Sequence, residues 1–152
     1  MTVLARRDDG LEIDDDGERV DLATTYDLVV GQGYWANSRS RETVAASIPG
    51  SWVFGVYDGS TQVAFARVVT DRATFAWICD VIVDEAHRGR GIGSWLMQTL
   101  TASLDDAGVK RQLLATLDAH EVYRPIGYVE LAYPERWMER DLRPDVPPRR
   151  EG

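Results

Sequence analysis

The stretch Val81-Ile82-Val83-Asp84-Glu85-Ala86-His87-Arg88-Gly89-Arg90-Gly91-Ile92-Gly93-Ser94 decides how the rest of the chain is read. An apolar run enters it, a glycine-rich turn fills its middle, and a helix-patterned segment leaves it from Ile92. Strand, glycine turn and helix N-terminus together make an anion site. Glycines reach positive φ and admit a ligand close to the backbone. The unpaired N–H groups of the first helical turn point at whatever binds there. Arg88 and Arg90 bracket the turn and can add bidentate phosphate contacts. The same features also suit a plain connector with two solvated arginines. Two common nucleotide loops fail the count: no Gly-Lys pair exists for G-x-x-x-x-G-K-[ST], and G-x-G-x-x-G meets Ser94 or Leu96 where its third glycine belongs.

Working outward, Ile92, Trp95, Leu96, Thr99, Leu100, Ser103 and Ala107 recur at helical spacing, and Gly108 suits a C-terminal cap. Residues 112–117 read as a strand, so strand, helix and strand predict a right-handed parallel crossover. A short helix over 118–123 ends near Pro125, and strands are predicted at 128–132 and 137–140. Upstream, 11–14 reads as a strand, 22–30 as a helix capped by Asp21, and 41–48 as a helix stopped by Pro49-Gly50. Between these helices lies a loop with Gly31, Gly33 and the pair Tyr34-Trp35. Residues 52–57, 63–69 and 74–83 predict an antiparallel meander, with Asp58-Gly59 as a hairpin signal. The fold class is therefore α/β: a mixed, mostly antiparallel sheet with helices on both faces. Residues 1–143 read as one domain and 144–152, rich in proline and charge, as a disordered tail.

Composition narrows the function. At 152 residues the chain suits about one domain, and its 44% hydrophobic and 28% charged content is that of a globular protein. A net charge of −8 argues against nucleic acid as a partner. Asp14-Asp15-Asp16 reads as a solvated turn. One cysteine, Cys79, excludes an internal disulfide, and with two distant histidines no metal site is expected. The first ten residues lack an apolar signal segment and no run could span a membrane, so the expected location is the cytoplasm. A homodimer is left open.

Taken together, these elements resemble the GNAT superfamily of N-acetyltransferases. Arg88, Gly91 and Gly93 match its R/Q-x-x-G-x-G/A signature, and Ala119, Tyr123, Gly127 and Tyr128 match its second motif, A-x-x-x-Y-x-x-x-G-[FY]. The run Leu114-Ala115-Thr116-Leu117-Asp118-Ala119-His120 is similar to a branch of small members in which Asp-Ala-His precedes the tyrosine. Two positions depart from the pattern. Thr116 stands where members often carry an asparagine, and Pro125 shortens the helix of the second motif.

The resemblance implies acetyl-coenzyme A as co-substrate, with no metal. Its pyrophosphate would take N–H bonds from the turn, Arg88, Gly89, Arg90, Gly91, Ile92, Gly93 and Ser94. Its pantetheine arm would follow Val81, Ile82 and Val83, opened by a bulge, with an N–H near Val81 polarising the thioester carbonyl. Thr116, His120 and Tyr123 complete the expected cofactor contacts. Tyr123 would donate a proton to the departing thiolate. Asp80, a carboxylate inside an apolar strand, is expected to bind a cationic amine and accept its proton through water; the other reading pairs it with Arg67. His120 suits a base, a cofactor contact or a hydrogen-bonded core residue. Tyr34, Trp35 and Trp77, with Arg39 nearby, would wall an acceptor that is a small, cationic or aromatic amine. Two alternatives stay open: an acyl-coenzyme A sensor without catalysis, and transfer to a protein N-terminus or lysine.

Overall fold

In this computed structural model residues 3–33 and 38–144 are described. Tyr34 and Trp35, and the expected tail beyond 144, lie outside them. The sheet has six strands: β1 (Val3–Arg6), β2 (Leu11–Asp14), β3 (Trp52–Asp58), β4 (Thr61–Thr70), β5 (Ala76–Val83) and β6 (Gln112–Leu114). Their spatial order is their order along the chain. Every neighbouring pair is antiparallel except β5 and β6, which run parallel. The crossover between those two is α3 (Ile92–Asp106). On the other side of the sheet lie α1 (Leu22–Tyr26) and α2 (Arg41–Ser47), and α4 (His120–Tyr123) follows β6.

Period-two alternation in the strands sorts the core into two layers. Phe54, Val56, Ala66, Val68, Ala76 and Ile78 face α3, where Ile92, Leu96, Met97, Leu100 and Leu104 are buried. Val53, Phe65 and Ile82 face the other way, against Leu28 and Val29. Helices therefore cover both faces, as the patterning predicts.

Several boundaries differ from the sequence reading, each for a local reason. The first strand, β1, was not anticipated. It is joined to β2 by a turn in which Gly10 takes φ +88° and Arg7 and Leu11 share a backbone hydrogen bond of 2.9 Å. Strand β5 starts two residues later than expected because the Asp71 carboxylate accepts the backbone N–H groups of Ala73, Thr74 and Phe75. The helix from Leu22, capped by Asp21 through the N–H of Thr24, widens at Asp27 into a π-type turn reaching Gln32. Strand β6 stops at Leu114, since Thr116 Oγ1 accepts the Ala119 N–H and turns the chain toward α4.

Two expectations are overturned. Residues 128–132 and 137–140 form no strands, because β6 is only three residues long and offers them no ladder to join. Their apolar side chains, Val129, Leu131, Trp137 and Met138, are exposed. The acidic run at 14–16 is likewise no mere solvated turn. Asp14 is buried and paired with Arg19 at 2.6 Å, while Asp15 accepts the Trp52 indole N–H at 3.0 Å.

Close packing on β3 gives a sharp test. A methyl group added at Gly55 would meet the Tyr57 ring at 2.6 Å from Cζ. Tyr57 is fully buried and cannot swing aside. Gly55→Ala is expected to cost about 1–3 kcal/mol through overpacking, seen as a lower urea midpoint with an unchanged m-value.

Candidate active site

Strand β5 carries the decisive irregularity. Arg67 on β4 pairs with Cys79 and Phe65 pairs with Ile82, so one residue, Ala66, opposes two, Asp80 and Val81. This is a β-bulge, and Asp80 takes φ +53°, a left-handed conformation that Asp tolerates better than most side chains. The extra residue shifts the alternation. Ala76, Ile78, Val81 and Val83 face α3, whereas Trp77, Cys79 and Ile82 face the α1–α2 side. Beyond Ile78, β5 and β6 no longer pair, since their register ends at Ile78 and Leu114. The strands part there, leaving a cleft of about 810 Å³ between β5 and residues 114–119 with α4.

At one end of this cleft lies the glycine turn. Gly89 and Gly91 take φ +80° and +71°, and Gly91 is the N-cap of α3 without any side-chain cap bond. The α3 N-terminus thus presents backbone N–H groups and its positive dipole end to an anion. Gly93 lines the cleft, with the Val83 side chain 3.6 Å from where its Cβ would stand. Arg88 lines it too, its Nε donating to the Val83 carbonyl at 3.2 Å. Arg90 does not line it. Its guanidinium is held by Asp9 at 2.9 Å, and its carbonyl accepts from Arg7. Ile92 is buried in the core, so only its backbone is available to a ligand.

A support for the turn went unread in the sequence. Gln32, at the end of the π-type turn, donates to Asp84 at 3.1 Å and accepts the Glu85 N–H at 2.9 Å. Asp84 also binds His87 at 3.0 Å. These bonds, led by that from Gln32, hold the Asp84 carboxyl below its ordinary pKa. Gln32 is a lone amide in a glycine-bearing loop, and only the fold places it beside a segment 52 residues away.

Opposite β5, Thr116 and Tyr123 line the cleft. The Tyr123 ring stands edge-on to Tyr128 with centroids 6.4 Å apart. Tyr128 is anchored through its hydroxyl to Thr101 and Gln112. His120 is exposed and does not line the cleft, although it shares α4 with Tyr123.

Toward the other end of β5, Asp80 sits only 4% exposed. Both its oxygens accept from Arg39 Nη1, at 2.8 and 2.7 Å, and Oδ2 also accepts from Arg67 Nε at 2.8 Å. Burial acts to raise the Asp80 pKa, but the bonds and charges of the two arginines outweigh it and hold the carboxyl below its usual value. The Arg67 pairing considered from the sequence is present, and Arg39 joins it. Cys79 lies alongside, its thiol pushed up to about 11, chiefly by burial. It is therefore protonated at neutral pH and a poor nucleophile. Trp77, 36% exposed, completes this wall with Arg39. A second hollow of about 480 Å³, bounded by Asp15, Pro49 and Arg72, shares no lining residue with the cleft.

A splayed parallel pair, a bulged strand and an uncapped helix N-terminus meet at this one cleft. Residues 16–128 match the model of the acetyltransferase (GNAT) family, and the chain belongs to that family. A solved structure from Xanthomonas campestris pv. campestris, described as belonging to the GNAT family, is 36% identical, with a TM-score of 0.82 over 87% of this chain and 93% of that one. A protein of Gibberella zeae named as a candidate acetyltransferase is 26% identical, over 70% of this chain and 68% of its own length. A Clostridium acetobutylicum structure that contains acetyl-coenzyme A shares the fold, with a TM-score of 0.66, 12% identity, and coverage of 87% of this chain and 96% of that one. The protein is thus an acetyl-coenzyme A-dependent N-acetyltransferase. No described helix is long and apolar enough to cross a membrane, and no group of three or more metal-ligating side chains occurs among the described residues.

Proposed function

We propose that the protein transfers an acetyl group to the amine of a small molecule by direct attack while both substrates are bound. The bulge at Asp80-Val81 carries this reading, because it opens backbone groups of β5 onto the cleft that also holds Tyr123 and the α3 N-terminus. Acetyl-coenzyme A supplies an activated thioester. The N–H groups at Gly91, Ile92, Gly93 and Ser94, with Arg88 beside them, would hold its pyrophosphate. Backbone groups of Val81 and Val83 would orient the arm, and an N–H at the bulge would polarise the carbonyl. Tyr123 would give a proton to the thiolate as it leaves.

For Asp80 we assign a different part from the one its sequence context suggests. Its charge is already matched by Arg39 and Arg67, so it serves to hold Arg39 at the cleft wall rather than to receive the acceptor's ammonium group. The acceptor's body would lie against Trp77.

Initial rates with both substrates varied would test direct attack. Intersecting reciprocal plots are expected; parallel plots would indicate a covalent acetyl-enzyme and overturn it. Thiol release with a protein N-terminus or peptidyl lysine but with no free amine would shift the acceptor to protein. Binding of acetyl-coenzyme A with no release from any acceptor would leave a sensor.

A further inference from the structure

We infer that the acceptor amine carries a carboxylate and an apolar body, as an apolar or aromatic amino acid does, and that Arg39 is the group that selects it. This rests on the acetyl-transfer reading above and names its substrate class.

Charge around Asp80 is unbalanced. Two guanidinium groups face one carboxylate, and all three side chains are at least three-quarters removed from solvent: Arg39 24% exposed, Arg67 13% and Asp80 2%. One positive charge is left over in a site where charge is expensive unless paired. Arg67 is the deeper of the two cations and does not line the cleft, with Nε on Asp80 and Nη1 donating to Ser51 Oγ at 3.1 Å. Arg39 faces the cleft. It reaches Asp80 through Nη1 alone, and its Nε and Nη2 make no hydrogen bond among the described residues. A guanidinium fixed by one nitrogen, with two donors left over, is disposed to take a carboxylate bidentately. The protein as a whole bears −8, so this local excess runs against the general field and needs a local purpose.

The second observation concerns the same face of the sheet. Val69 and Trp77 pair across β4 and β5, and both remain exposed, at 42% and 36%. They form an apolar step on the α1–α2 side, and its Trp77 end lines the cleft together with Arg39. An exposed aromatic beside an incompletely used arginine suits a small molecule with one anionic and one apolar end. A dication would instead meet Arg39 with like charge.

Matched pairs of acceptors test this on the purified full chain: L-phenylalanine with phenethylamine, and L-leucine with isoamylamine, each followed by coenzyme A thiol release. We expect the carboxylate-bearing member to have a kcat/KM at least about 30-fold higher. Arg39→Gln is expected to reduce that ratio to about 3 or below, mainly by raising KM for the amino acid, and Arg39→Lys to restore part of it. Thermal unfolding of each variant checks that it is folded. Equal or better turnover of the decarboxylated amines, or a ratio unmoved by Arg39→Gln in a folded variant, would overturn the inference and leave acetyl transfer standing. Silence from every amine, with acetyl-coenzyme A still bound in calorimetry, would overturn both.

Discussion

Asp80→Ala is expected to destabilise the protein by about 3–5 kcal/mol, because it leaves two guanidinium groups facing each other with no carboxylate between them. The backbone adds to the loss, since alanine tolerates φ +53° less well than aspartate. Asp80→Asn keeps the shape and the tolerated backbone while removing the charge, so its loss should be smaller. Urea unfolding at neutral pH would show both. The pH dependence separates charge from shape. The Asp80 carboxyl is depressed when folded, so its contribution is fully present above the unfolded carboxylate value of 3.8. It is lost as pH falls from there through the folded value. The stability gap between wild type and Asp80→Asn should therefore be constant near neutrality and close only in strong acid. A gap that narrows between pH 8 and 6 would show that another group is responsible.

The second large effect belongs to Tyr123. Tyr123→Phe is expected to lower kcat about 100-fold or more, the usual scale for losing a general acid, with binding of acetyl-coenzyme A little changed. The substitution keeps the ring that packs edge-on against Tyr128, so the wall of the cleft should survive. A coenzyme whose thiol leaves more easily should suffer less from the change, since it needs less help from a proton. If kcat is unaffected in the folded variant, the proton comes from elsewhere and the assignment fails.

Much of the scaffold was legible in the sequence because strong local signals stood where the fold uses them. The helical period from Ile92 and the alternation of Trp52, Phe54 and Val56 each had a single structural answer. The failures came where tertiary partners decide. Val129 and Leu131 alternate like a strand, but alternation does not supply a neighbour to pair with. Val3–Arg6 is short and polar at its end, and it becomes a strand only because β2 is there to pair with it. At the site, the glycine turn and Tyr123 could be located from their motifs and Arg67 could be weighed as a partner of Asp80, whereas the second partner, Arg39, could not be paired with it. A carboxylate in an apolar strand signals that something compensates it, yet Arg39 lies 41 residues away in sequence. The sequence places Arg39 near the loop that would cover an acceptor, but not on Asp80, where it brings positive charge to the cleft wall.

Strand order that follows chain order has a consequence for how the molecule assembles. The pairs β1–β2, β3–β4 and β4–β5 join across short turns, whereas β2 and β3 meet across α1 and α2, and β5 and β6 meet across α3. Loop-closure entropy makes these two long connections the costlier ones to form, and non-local pairing is the slow part of folding. The seam between β5 and β6 is the one that parts to make the cleft. The cleft therefore depends on a non-local pairing: its wall opposite β5 is in place only once α3 has packed into the core and brought β6 beside β5.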